Sequence, residues 1–354
     1  MKLQLLGGLT ARDFLRRYWQ KRPLFVRAAL PGFSGVIDRR GLATLAARDD
    51  VESRIVERRG RRWETAHGPF GRLSLRRSNA TVLVNGVNLH VRAADELLQR
   101  FRFVPQARLD DVMVSYATPG GGVGPHVDFY DVFLLQGSGR RAWRVGDRRL
   151  VAEPGDLLYL PPKVRHDGVA LDSCFTYSIG FRAPRGAELG AAFLDWLHER
   201  GLPQAEYRDP GLAPAKQPGR LPDEMISFAA DLLKRIRWSR GDVEEFVGRY
   251  LSEPKPHVVF KSQPGRRALA RSMVRLDPKT RLLYRGTRFF VNGESFAVEP
   301  RAAAALRELA DRRVARGARL AATRLAGLIS DWRQRGYLNL EKIGEAGENL
   351  PRTP

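Results

Sequence analysis

Two histidines and an aspartate are the residues in this chain best able to do chemistry. His126 and Asp128 stand in PGGGVGPHVDFYDVFLLQGSGRRAW, residues 119–143, just after a glycine- and proline-rich turn. In extended backbone, alternate side chains share a face. His126 and Asp128 therefore point the same way, with Val127 opposite. His166 follows in EPGDLLYLPPKVRHDGVALDSCFTYSIGF, where a proline turn precedes it and it opens another strand. Two strands meeting across a small barrel bring these three together as a 2-His-1-carboxylate set, the set that leaves open positions on non-haem Fe(II). Of the other histidines, His67, His198 and His257 read as structural or exposed. His90, near a strand end, stays open.

Arg141 is the next candidate. It sits on the strand returning from the Gly137-Ser138-Gly139 turn. Strand parity turns Arg141, Trp143 and Val145 inward and Arg140 and Arg144 outward. A guanidinium grips a carboxylate through two parallel hydrogen bonds. Beside a metal, it suits a dicarboxylate whose other end chelates the ion, and 2-oxoglutarate has that form. Tyr130 and Asp131, next to the metal segment, are candidate substrate contacts, and Asp131 has the charge to pair with a substrate guanidinium. Barrel packing and a turn hydrogen bond are the alternatives for these two.

The elements that must hold these residues are short. Thr10 caps a helix carrying Phe14, Leu15 and Tyr18, and a short strand follows near Phe25. Strands are expected over Ser53 to Glu57 and Thr81 to Val84, with a helix over Ala93 to Phe101. Val112, Val114 and Tyr116 alternate in a strand that feeds the glycine turn. Residues 119–182 hold at least four strands and no long helix, which suits a barrel or sandwich. Helices follow over Ala191 to Arg200, Asp223 to Trp238 and Asp242 to Leu251, with a Pro/Gly-rich loop from Pro203 to Pro222. In the second of these, Ile226, Ala229, Ala230 and Leu233 form an apolar stripe. It either caps the barrel or forms a dimer surface. Beyond Pro256, Asn292-Gly293 joins two strands as a hairpin, and helices are expected near 300–312 and 321–335. That mixture suggests a winged helix.

The chain has 354 residues, 61 of them Lys or Arg against 39 acidic, a formal charge of +22. This balance suits nucleic acid or a particle coated in it, or else arginines dispersed over solvated faces. Cys174 is the one cysteine, so an internal disulfide framework is excluded. No apolar run reaches membrane-spanning length, and the N-terminus is a poor secretory signal. A cytoplasmic location is expected.

These stretches, with YSIGFRAP and the early Tyr18-Trp-Gln-Lys-Arg-Pro23, resemble the Jumonji-C 2-oxoglutarate oxygenases. Within them the chain is most similar to the bacterial ribosomal oxygenases, which hydroxylate an arginine of large-subunit ribosomal protein 16. The similarity is dense over 105–184 and continues loosely over nearly the whole chain. It implies a mixed α+β fold in three parts: a double-stranded β-helix (cupin/Jumonji-C) catalytic domain with an N-terminal helical extension over 1–185, a helical dimerisation region over 186–253, and a winged-helix-like domain over 254–354. It implies Fe(II) on His126, Asp128 and His166, with Arg141 on the distal carboxylate of 2-oxoglutarate, where many relatives carry a lysine, and Ser178 as a secondary contact. The reaction implied is hydroxylation of a ribosomal protein with O₂, giving succinate and CO₂. The implied partners are that protein, a second copy in a homodimer, and the rRNA or ribosome surface, with no membrane. The loop 146–152 is short where that branch often carries an acidic insert, so substrate choice is open to change. The alternative is a non-catalytic metal-binding barrel with a winged helix; within the enzymes, the alternative is histone-type lysine demethylation.

Overall fold

The run Val132-Phe-Leu-Leu is apolar without alternation because both of its faces are covered. Phe133 and Leu135 join a large cluster with Phe14, Leu97, Phe101, Tyr159 and Ile179, while Val132 and Leu134 join Trp143, Val145, Leu158 and Leu160. The second cluster lies between two sheets. The computed structural model describes residues 2–60, 62–71, 78–262 and 268–343. The larger sheet has eight strands in the order Leu24–Val26, Leu157–Leu160, Val132–Gln136, Cys174–Phe181, Leu109–Ala117, Ala80–Val84, Ser53–Arg59 and Arg62–His67, each antiparallel to its neighbours. The smaller one is Arg148–Ala152, Arg141–Val145 and His166–Ala170. The two form the double-stranded β-helix.

Helices cover the outer face of the larger sheet. Ala11–Arg17 starts at Thr10, whose hydroxyl accepts from the Asp13 amide at 3.0 Å, and inserts Phe14 among Trp19, Phe133 and Tyr159. Arg92–Gln99 buries Ala94, Leu97 and Leu98. Residues 119–182 contain the six strands from Val132 onward, two more than the minimum expected. The segment holding His126 is not a strand: it makes one isolated antiparallel bridge to His166.

After the barrel, Gly186–Glu199 and Arg240–Ser252 pack through Trp196, Leu197 and Phe246. The helix between them, Asp223–Leu233, ends earlier than the expected Trp238 and buries none of its residues. Ile226 and Leu233 are 49% and 64% exposed. Phe246, by contrast, is buried within its own chain.

The last part pairs a meander, Leu282–Arg285, Arg288–Val291 and Glu294–Ala297, with the sheet Val314–Arg316, Ser272–Leu276 and Leu338–Lys342. Asn292 and Gly293 both have positive φ, 49° and 89°, as a two-residue hairpin turn of the expected kind requires. The helix Pro300–Arg312 is as expected. The helix expected near 321–335 is Ala326–Gln334, and a short unexpected helix, Gly317–Ala321, precedes it, the two parted by Arg324 at φ 60°. Trp332, Ile329, Leu306, Leu309 and Val274 form this part's core.

Candidate active site

The bridge between His126 and His166 is closed by two backbone hydrogen bonds, each amide donating to the other's carbonyl at 3.0 Å. This pins two remote segments in register and sets the imidazoles 4.2 Å apart, centre to centre. Asp128 completes the group. Its carboxylate oxygens lie 3.9 Å from His126 Nε2 and 3.6 Å from His166 Nε2. One ligand atom from each of the three falls within 4.8 Å of the others. Val127 points away and is 42% exposed. The Lys163 amide donates to the Asp128 carbonyl at 2.7 Å and ties the segment to the Pro161-Pro162 turn.

Each imidazole has its Nδ1 against a backbone carbonyl, Gly124 for His126 and Val164 for His166, both at 2.9 Å. An Nδ1–H donated there leaves both Nε2 lone pairs facing Asp128, which is the tautomer a metal ligand needs. Burial pushes the His166 imidazole below its usual pKa, favouring the neutral form. Two glycines let indole rings close in. A Cβ on Gly124 would meet Trp63 Nε1 at 2.7 Å, and one on Gly168 would meet the Trp143 ring at 2.5 Å. Trp143 in turn lies 6.1 Å from the His166 ring.

These groups line a cavity of about 430 Å³ that also takes in Arg141, Thr176, Ser178 and Tyr130. Arg141 is 4% exposed, and among the described residues its Nε and Nη2 have no hydrogen-bond partner. Arg140 points outward to Asp172 at 2.7 Å, and Arg144 is exposed, as the strand parity requires. Ser178 is buried on the central strand between Met113 and Leu134. Tyr130 is 43% exposed; burial first, then the Asp128 charge, pushes its hydroxyl up to about 12, so it stays protonated.

Asp131 lies elsewhere. It is fully buried, accepts from Tyr159 Oη at 2.6 Å and Gln20 Nε2 at 3.0 Å, and faces Arg108 at 3.4 Å. It does not line the cavity: one residue along, the chain has crossed to the helix-covered face of the sheet. Besides Asp128, the acids that line it are Asp110 and Asp111, with Lys255 between them. Asp111, Met113 and Ser115 are the inward alternates of Leu109–Ala117. Asp111 is therefore about 13 Å along the strand from Ser115, which lies beside Thr176 and hence nearer Arg141. The cavity has a basic end and an acidic one. Burial raises both acids, and Lys255, Arg182 and Arg281 together bring Asp110 below the usual range, while Asp111 stays above it. Burial alone would lower Lys255, and the two carboxylates more than offset it.

Comparison with known proteins places this geometry. The JmjC domain family matches residues 96–152 and 148–189, and the ROXA-like winged helix family matches 235–339. The ribosomal protein uL16 3-hydroxylase of Escherichia coli (strain K12) is 37% identical over 267 residues, 69% of this chain and 71% of that protein. The chain belongs to the JmjC ribosomal oxygenases. A probable ribosomal oxygenase of Haemophilus influenzae is 36% identical over 208 residues, 51% of this chain and 52% of its own. The solved structure of YcfD, a ribosomal oxygenase from Escherichia coli, superposes with a TM-score of 0.80 at 32% identity, covering 94% of this chain and 98% of that one. Its complex with cobalt and 2-oxoglutarate gives 0.81 at 31% identity, with the same coverage.

The chain is accordingly a metal- and 2-oxoglutarate-dependent oxygenase. Its residues fit both groups. Three neutral or anionic ligands converge on one point, and a buried guanidinium with two unused nitrogens opens on the same cavity. An orphaned buried cation of this kind costs several kcal/mol unless an anion meets it.

Proposed function

We propose that His126, Asp128 and His166 hold one Fe(II), and that Arg141 binds the distal carboxylate of 2-oxoglutarate with Ser178 beside it. The observation that carries this reading is the unpaired Arg141 guanidinium in the cavity of the His-Asp-His group. Bound iron with 2-oxoglutarate and O₂ supplies the oxidising power to hydroxylate an unactivated carbon, releasing succinate and CO₂. The protein's own work is positional. The backbone carbonyls of Gly124 and Val164 fix the imidazole tautomers, and Arg141 sets the direction in which the cosubstrate lies.

We assign the substrate as an arginine side chain of a large-subunit ribosomal protein. Support comes from the relative that hydroxylates uL16 and from the acidic end of the cavity at Asp110 and Asp111. An acid pair suits a guanidinium, and Tyr130 lies on the way in. Asp131, committed to Tyr159, Gln20 and Arg108, has no part in this assignment. The three-part division at residues 185 and 253, a cytoplasmic setting, contact with rRNA through the excess of arginine, and homodimerisation through the exposed face of Asp223–Leu233 belong to the same proposal. No described helix is long and apolar enough to cross a membrane.

The test is incubation with Fe(II), 2-oxoglutarate and peptides of ribosomal protein uL16, read by mass spectrometry. Gain of one oxygen atom on an arginine supports the reading. Succinate formation with no modified ribosomal peptide would confine it to the cosubstrate half.

A further inference from the structure

We infer that Lys255 is a tethered counter-ion of the substrate subsite, holding the Asp111 carboxylate until the cationic side chain of the substrate displaces it. This rests on the proposed cationic substrate and adds a residue from outside the barrel. Lys255 lies just beyond the helix Arg240–Ser252, yet its ammonium reaches into the catalytic cavity. Its Nζ stands 3.3 Å from Asp111 and 3.4 Å from Asp110.

The two acids depend on it unequally. Asp110 also faces Arg182 at 3.4 Å and Arg281 at 3.6 Å. Asp111, 14% exposed, has the Gly86 amide at 3.1 Å and, among the described residues, no ion-pair partner besides Lys255. A carboxylate withdrawn from water next to a second carboxylate requires a cation. In the free protein Lys255 supplies it.

The contact is also built to be exchanged. Distances of 3.3–3.4 Å are long for a charge-assisted hydrogen bond. A lysine ammonium is a point charge on a flexible stem, whereas a guanidinium presents a planar fork matched to a carboxylate. The Lys255 side chain is 32% exposed, so it has a path back to water. Displacing it lowers the apparent affinity for substrate by the fraction of time the lysine holds the site. Weakly held cations are thereby kept out of the cavity.

Lys255→Met keeps the apolar stem and removes the charge; Lys255→Arg replaces the lysine with the better competitor. Full-length protein loaded with Co(II) and 2-oxoglutarate is titrated with ethylguanidinium ion and with a uL16 peptide by calorimetry, after thermal melts show that each variant is folded. The expected order of affinity is Met, then wild type, then Arg, with Lys255→Met tighter than wild type by about five- to tenfold and 2-oxoglutarate binding the same in all three. A lysine with only a structural role would leave both variants weaker or unchanged, and that result overturns the inference. If Lys255→Met does not fold, Lys255→Gln takes its place as the charge-removing variant: affinity equal to or below wild type overturns the inference. If ethylguanidinium follows the expected order while the peptide binds none of the three, the substrate assignment fails and the role of Lys255 stands. If neither cation binds any variant, both fail.

Discussion

Arg141 carries the sharpest expectation at the scale of single residues. Arg141→Ala removes a buried, charge-assisted fork and should raise the dissociation constant for 2-oxoglutarate by about a hundredfold, roughly 3 kcal/mol, leaving metal binding intact. Calorimetry with and without Co(II) separates the two effects. Were 2-oxoglutarate affinity unchanged, another cation would be doing this work. His166→Ala should abolish metal binding, and because the imidazole is buried beside Trp143 the melting temperature should fall as well. Gly168 is a third case. A methyl group there meets the Trp143 ring at 2.5 Å and forces it to move in a packed layer that includes His166. Gly168→Ala should cost about 1–3 kcal/mol and weaken metal binding, seen by denaturant unfolding and metal titration.

The helix Asp223–Leu233 makes the test at the scale of elements. An eleven-residue helix is marginal alone in water, and this one has no fully buried residue, with Phe228 half-buried against Tyr207, while exposing Met225, Ile226 and Leu233. Light scattering at micromolar concentration should give about twice the chain mass of 39.9 kDa. Leu233→Glu should return the protein to the monomer mass. A wild-type monomer would refute the dimer. The elements also show what was legible in the amino-acid order. His126, Asp128 and His166 stand out because turn–strand junctions are local patterns, and Arg141 follows from parity along one strand. Parity along Leu109–Ala117 also held unused information. The alternation of Val112, Val114 and Tyr116 marks one face, and the other, Asp111, Met113 and Ser115, is the cavity wall. Asp131 misled because adjacency to the metal segment says nothing about which face a residue takes once the chain turns. Lys255 was beyond reach: its partners lie 144 and 145 positions away, and no local pattern reports such a contact.

At the scale of the whole molecule, His90 lies near Arg48 and near Lys279 of the C-terminal part. Burial first, then those cations, lowers its pKa from 6.5 to about 4. The unfolded chain therefore takes up a proton on acidification that the folded protein refuses until about pH 4. The penalty is absent above pH 6.5 and grows as the pH falls from 6.5 toward 4. After discounting for partial exposure, it amounts to on the order of 1–2 kcal/mol. His90→Gln should flatten this part of the stability–pH curve in urea titrations; an unaltered slope would assign the acid sensitivity to other groups.

The C-terminal part grips the barrel along the strand Leu109–Ala117. Arg281 donates to the carbonyls of Leu109 and Asp110 at 3.1 and 3.0 Å, while Lys255 holds the carboxylates beside them. Both cations are encoded far downstream of the β-helix they complete. The barrel is thus not a transplantable cassette. A fragment ending shortly after the last barrel strand would retain His126, Asp128 and His166 but leave Asp111 at its mouth without Lys255, inviting stray divalent cations from the buffer. Recombination that shuffles this barrel onto a new tail can preserve its chemistry only if the incoming segment brings positive charge to that same edge.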